Sequence, residues 1–278
     1  MNSVKFISLV SLFVLLTGTG MAQATSEEKR DGAYDKDLIV TREVLPYDHI
    51  READVFWEKR VWRVIDFREK MNLPMAWPKN PLMDYIYKLA VNGEITAYSP
   101  LYDDFDAEHA FTIEEIKNKF NRIDTIYIFN EETYEEEIKI VPTEFNYEEV
   151  KKLRIKEDWI FDEETSQLVV RIIGMAPVKE RIDPTTGEPI GEEDMFWIYY
   201  PDLRQHLIRI EVFNTENSAR FFTFDDIFEM RFFSSYITKE DNVYDRFIES
   251  YASGIDQVLE SDKIKNEIFE FEHQLWEF

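Results

Sequence analysis

The chain has 278 residues, 57 acidic against 32 basic, for a formal net charge of −25. That balance repels nucleic acid and anionic lipid and favours basic protein surfaces. The lack of cysteine excludes a disulfide scaffold, a thiol nucleophile and a lipid-attachment thiol.

Aromatic residues make up 15% of the chain while glycine numbers only 8, so the ring surface goes either into a core built on Phe and Tyr or into contacts with another chain. At the N-terminus, Lys5, an apolar run over residues 6–16 and the small residues Gly18, Gly20, Ala22 and Ala24 form a secretory leader over 1–22. Cleavage is expected between Ala22 and Gln23, with the bond after Ala24 as the alternative. The run is shorter than the ~20 residues of a membrane span, so the mature chain is expected to be exported without one.

Residues 23–45 form a polar, flexible N-terminal segment, with order expected to begin near Leu38. From Tyr47 to Asn72 the spacing of Ile50, Ala53, Trp57, Val61, Val64 and Ile65 predicts an amphipathic helix that ends at Leu73-Pro74. A shorter helix follows Pro81 and stops at Asn92-Gly93. Thr112 and Glu115 form a capping box for a third, to about Asn121. The period then changes, and residues 123–129 and 138–141 predict a hairpin.

Residues 152–161 alternate as a strand, with Leu153, Ile155, Trp159 and Phe161 on one face and Lys152, Arg154, Lys156 and Asp158 on the other. A buried strand at 168–173, a loop carrying Pro184, Gly187, Pro189 and Gly191, and a strand at 195–200 follow. Pro201 then opens a helix that buries Leu203, Leu207 and Ile210. Thr223 and Asp226 cap another, running through Ile227, Phe228 and Arg231. The last helix spans about 255–276, with Ile264, Ile268, Phe271 and Leu275 on one stripe. Together these predict an α+β domain over 46–278, with helices bracketing a modest, mainly antiparallel β-sheet. A division into 46–145 and 146–278 is the alternative.

Catalytic motifs are missing: there is no G-x-S-x-G, P-loop, G-x-G-x-x-G or H-E-x-x-H, and the four histidines are far apart. Asp104, Asp106, Glu108 and Glu115 match positions 1, 3, 5 and 12 of a calcium loop. His109 stands where the turn glycine is needed, so the stretch reads as a solvated acidic loop. Glu270 and His273 make one Glu-x-x-His where a di-metal bundle needs two. The aromatic end at Trp276 and Phe278 follows a helical stretch, which excludes a barrel signature. The expectation is a non-enzyme with no cofactor or metal.

One stretch stands out electrostatically. Residues 51–70 carry six cations against five anions, near neutrality inside a strongly acidic chain. On the predicted helix Lys59 and Arg63 stack at i, i+4, and Arg60, Trp62, Arg63 and Arg68 are candidate partner-binding residues. Reversing Arg60 and Arg63 to Glu is expected to weaken assembly without unfolding the subunit. The competing reading is pairing with the chain's own carboxylates, at ~0–1 kcal/mol per exposed pair.

Four blocks in order, FWEKRVWRVIDFREKMN at 56–72, FWIYYPDLRQHL at 196–207, TFDDIFEMRFFSSYI at 223–237 and GIDQVLESDKIKNEIFEFEHQLW at 254–276, resemble the GldN/PorN family. The resemblance implies a periplasmic structural component of the type IX secretion system of Bacteroidetes, needed for protein secretion and gliding motility. It implies assembly with an outer-membrane lipoprotein of the GldK/PorK type and with copies of itself into a ring, coupled to the GldL/GldM motor. The competing function is a periplasmic glycan-binding or carbohydrate-active protein, in which Trp and Tyr side chains stack sugars.

Overall fold

The structure, a computed structural model, describes residues 41–275 apart from 103, 121, 130–135, 144, 184–188, 216 and 218–221. The leader, the cleavage point at Ala22 and Gln23, the segment up to residue 40, Pro184, Gly187 and residues 276–278 lie outside the described residues. In chain order the elements are β1 (Val55–Asp66), α1 (Leu82–Asn92), β2 (Ala97–Tyr98), α2 (Ile113–Phe120), β3 (Arg122–Phe129), β4 (Glu136–Thr143), β5 (Lys152–Asp162) and β6 (Gln167–Ile182). They continue with β7 (Pro189–Asp194), β8 (Trp197–Tyr199), α3 (Tyr200–Leu207), β9 (Glu211–Val212), β10 (Phe222–Thr223), α4 (Phe224–Glu229), β11 (Tyr236–Glu240) and α5 (Ile255–Leu275).

The architecture is α+β. Seven strands form an antiparallel sheet in the order β11-β1-β5-β6-β8-β2, with β7 also paired to β6. β3 pairs with β4 as the predicted hairpin, and β9 with β10.

The main correction concerns the predicted helix over 47–72, whose center is strand β1, paired with β5 from Val55 to Asp66 and with β11 from Val61 to Val64, with register shifts between Val55 and Trp57 and between Trp62 and Arg63. The apolar spacing that suggested a period of 3.6 arises because the second half of this strand is covered on both faces. Val61, Trp62, Val64 and Ile65 are all buried, so no alternation is visible there. Its β-branched and aromatic content, with valine at 55, 61 and 64 and tryptophan at 57 and 62, suits a pleated surface better than a helix. A short 3-10 turn, Leu73–Ala76, with Pro74 in its first turn, follows where the helix was expected to end.

Other signals are realised where local chemistry sets them. Gly93 ends α1 in the left-handed region at φ 75°. Thr112 Oγ1 accepts from the Glu115 backbone N–H while Glu115 reaches back to the Thr112 N–H at 2.8 Å. Thr223 and Asp226 make the same reciprocal pair at α4, and Pro201 lies in the first turn of α3. Arg231, expected within α4, falls just beyond it at φ 55°, and the strand expected over 168–173 extends to Ile182. Part of the predicted Pro/Gly loop is β7, where proline is tolerated because it is the first residue of an outer strand.

Side-chain alternation divides the sheet. On one face Ile65, Leu153 and Ile155 join Leu82, Ile86, Tyr200, Leu203, Phe224 and Phe228 from α1, α3 and α4 in the main core. Further along the same face, Val61 and Ile237 pack with Ile264 and Ile268 of α5, with Trp57 and Trp159 at the margin. The opposite face carries a smaller cluster of Trp62, Ala176 and Trp197, closed by Tyr98 and Phe105. Gly174 makes that closure possible, since a Cβ there would lie 2.4 Å from the Phe105 ring.

Candidate interaction surfaces

The four cationic and aromatic residues singled out from the sequence fall in different environments. Arg60 makes a bidentate pair with Asp158 across the β1–β5 register, at 2.5 and 2.8 Å. Trp62 is 4% exposed. The register sets it between Lys239 of β11 and Lys156 of β5, whose ammonium groups lie 4.2 and 5.7 Å from its ring. Both lysines are themselves buried, where a cation–π contact is worth ~2 kcal/mol.

Arg63 is 8% exposed and donates from Nε to Ser235 Oγ at 2.9 Å and from Nη2 to the Ser235 carbonyl at 3.3 Å. Burial pushes its guanidinium below its ordinary value, with Arg231 adding to the effect and Glu157 opposing it. Arg68 alone is well exposed. It folds back onto Asp66, and that hydrogen-bonded pairing holds the Asp66 carboxyl below the usual carboxylate range.

The i, i+4 stacking expected of Lys59 and Arg63 does not exist on a strand; Lys59 pairs with Glu240 of β11 at 2.6 Å. The cations are concentrated here because a central strand places them opposite carboxylates and rings on both neighbours. Charge reversal at Arg60 and Arg63 is therefore a perturbation of the fold.

On the helix-bearing face, Glu157 is fully buried between the two larger clusters. Arg231 pairs with it at 2.9 Å, and Trp159 donates its indole N–H to it at 3.1 Å. The left-handed backbone at Arg231 turns that side chain back toward the sheet immediately after α4.

A second charged assembly, not anticipated from the sequence, holds the segment before β1. Arg42 makes two 2.6 Å hydrogen bonds to Asp226. The ring of Tyr47 lies between the guanidinium groups of Arg171 and Arg204, at 4.1 and 4.2 Å. Arg204 is buried against Asp225 at 3.0 Å, and the hydroxyls of Tyr47 and Tyr200 both donate to Glu229. Burial, then Glu229, pushes the Tyr47 hydroxyl well above its ordinary value, and Tyr200 is raised by burial and by the same carboxylates. At Asp226 burial would raise the carboxyl, but Arg42 and Thr223 outweigh it and the net shift is downward. Apart from Arg171 of β6, the socket residues belong to the 196–207 and 223–237 blocks; the segment they hold precedes β1.

In the acidic loop, Asp104 is engaged by His109 Nδ1 at 2.8 Å, and His109 stacks on Tyr102. Glu115 is occupied as the cap of α2. Among the described residues no group of three or more His, Cys, Asp or Glu is placed to hold a metal ion. Trp62 and Trp197 are buried, and Trp57 is stacked on Phe271 at 4.4 Å, so these three rings are not open sugar platforms.

Large apolar side chains are exposed instead around the start of α5 and the loop before it: Val243, Tyr244, Ile255, Val258 and Leu259. The sequence contained a usable signal. Ile255, Val258 and Leu259 lie off the Ile264–Ile268–Phe271 stripe that buries the helix, and Val243-Tyr244 interrupts a polar loop.

The family model described as gliding motility associated protein GldN matches residues 50–277. No curated protein matches the chain. Among the described residues no helix is long and apolar enough to cross a membrane.

Proposed function

The chain belongs to the GldN family of gliding motility associated proteins, and we propose that it is a non-enzymatic structural subunit of a periplasmic ring in the type IX secretion system. In this role it serves protein secretion and gliding by linking an outer-membrane lipoprotein of the GldK/PorK type to the GldL/GldM motor. The observation that carries the reading is the family match over residues 50–277, which spans the sheet and all five described helices. The leader expected over 1–22, with cleavage between Ala22 and Gln23 or after Ala24, supports the export this reading needs. The lack of a lipid-attachment cysteine is consistent with attachment to the outer membrane through a partner.

Of the four residues first considered for docking, Arg68 is the one whose side chain is well exposed, so it stays a contact candidate, while Arg60, Trp62 and Arg63 support the sheet. The test is co-expression of the mature chain with its lipoprotein, followed by affinity purification and electron microscopy. Co-purification as a ring-shaped complex is expected. A chain that stays monomeric and does not retain the lipoprotein overturns the reading.

A further inference from the structure

The start of α5 presents an apolar surface where a soluble helix would ordinarily carry polar groups. Val243 is 98% exposed, Ile255 78%, Tyr244 76%, and Val258 and Leu259 60% each. Ile255 and Leu259 stand at i, i+4 with Val258 beside them, a ridge of the kind that packs into the groove of another helix. In the preceding loop the Arg246 guanidinium lies over both Tyr244 and Tyr251, at 4.9 and 4.6 Å. Tyrosine and arginine are the residue types enriched at binding hot spots.

The surface is mounted on a fixed support. Ser261 Oγ accepts the Ile237 backbone N–H at 2.9 Å, tying α5 to β11, and Ile264 and Ile268 are buried behind it. Beside Val258 opens a cavity of about 240 Å³ with room for one inserted side chain; Phe247, Ile248 and Tyr236 line its apolar side, and Lys152 and Arg154, paired with Glu192 and Asp194, line its polar side.

Charge identifies the occupant. Residues 241–262 contain six carboxylates (Asp241, Asp245, Glu249, Asp256, Glu260 and Asp262) and one cation, Arg246. Asp245 is paired with Lys239 and Glu260 with Lys263. Among the described residues Asp241, Glu249, Asp256 and Asp262 make no ion pair. A second copy docking through the same surface would set acidic rim against acidic rim, as an isologous contact requires. A helix with an apolar stripe flanked by lysine or arginine satisfies both the ridge and the rim.

We propose that residues 241–262 form a docking face for a basic amphipathic helix of another protein, with one apolar side chain of that helix entering the cavity beside Val258. The inference rests on this surface alone and stands or falls separately from ring formation.

The probe is a synthetic 18-residue leucine/lysine amphipathic helix, compared by fluorescence anisotropy with a scrambled peptide of the same composition and with a leucine/glutamate counterpart. The striped basic peptide should bind the mature chain at least tenfold more tightly than either control. Ile255→Ser with Leu259→Ser should weaken that binding at least tenfold, and Asp256→Asn with Asp262→Asn should weaken it and flatten its salt dependence. Leu101→Ser, an equally exposed change elsewhere, should leave it unchanged. All these positions are on the surface, and circular dichroism checks that each variant folds. Wild-type binding by the Ile255/Leu259 variant, or equal binding of striped and scrambled peptides, overturns the proposal. So does a concentration-dependent dimer abolished by Ile255→Ser and Leu259→Ser, because it assigns the face to a second copy.

Discussion

Arg63→Glu separates a docking role for the β1 cations from a folding role. The guanidinium is 8% exposed and is held by the Ser235 hydroxyl and carbonyl. It also faces the field of Glu157, a fully buried carboxylate. Reversal leaves the Ser235 acceptors without their donor and adds a second negative charge near a carboxylate paired with Arg231. Breaking a buried charge arrangement of this kind costs ~3–5 kcal/mol, a large part of the ~5–15 kcal/mol that stabilises a typical domain. At ~2–4 °C per kcal/mol for a domain of this size, the melting temperature should fall by about 6–20 °C.

Arg63→Met, which keeps the apolar stem and loses only the hydrogen bonds, should cost ~1–3 kcal/mol. Arg68→Glu, on an exposed side chain, should cost ~1 kcal/mol or less. Thermal and urea unfolding followed by tryptophan fluorescence measures all three. The reasoning fails if Arg63→Glu unfolds at the wild-type midpoint, or if Arg68→Glu costs as much.

Gly174→Ala should destabilise by ~1–3 kcal/mol, because its methyl group would displace the Phe105 ring; a red shift of tryptophan emission as Trp62 gains water would accompany the change. Asp226 has its folded value depressed, so its contribution is full above the ordinary carboxylate range and is lost as pH falls through that depressed value. Unfolding midpoints should therefore decline below about pH 4, and Arg42→Ala should show a shallower decline; identical slopes would rule out the Arg42 pairing as a source. Thr223→Ala removes the α4 cap and should cost ~1 kcal/mol in the same unfolding assay.

The fold was most legible where a few neighbouring residues determine the backbone. Thr112 with Glu115, Thr223 with Asp226, Gly93 after α1 and Pro201 in α3 each announce a helix end through their own chemistry. β1 mimics a helix in the sequence because a pattern of burial encodes the surroundings as well as the period. With the Phe105 cluster on one face, and α5 over Val61 and the main core over Ile65 on the other, Val61, Trp62, Val64 and Ile65 are all buried, and a one-sided helix fits them by accident. The two-residue strands β2, β9 and β10 are too short to show any period, and β7 is hidden by Pro189 and Gly191.

The candidate surfaces were less legible for a related reason. Charge along the chain identifies the number of cations on 51–70, but their partners, Asp158, Glu240 and Ser235, are supplied by β5, β11 and the turn before β11. The Arg42–Asp226 and Tyr47–Arg204 contacts join residues more than 150 positions apart, and no local spacing announces them. The apolar start of α5 was visible in principle, since Ile255, Val258 and Leu259 do not share the helix's buried stripe.

Hydrogen–deuterium exchange of the mature chain, alone and within the complex formed on co-expression with its lipoprotein, tests the division between supporting strand and contact surface most directly. The amides of Val55–Asp66 should exchange slowly in the free chain and be unchanged in the complex, with any protection gained on assembly falling on exposed segments outside β1. Rapid exchange of Val55–Asp66 in the free chain, with protection appearing there in the complex, would contradict the account.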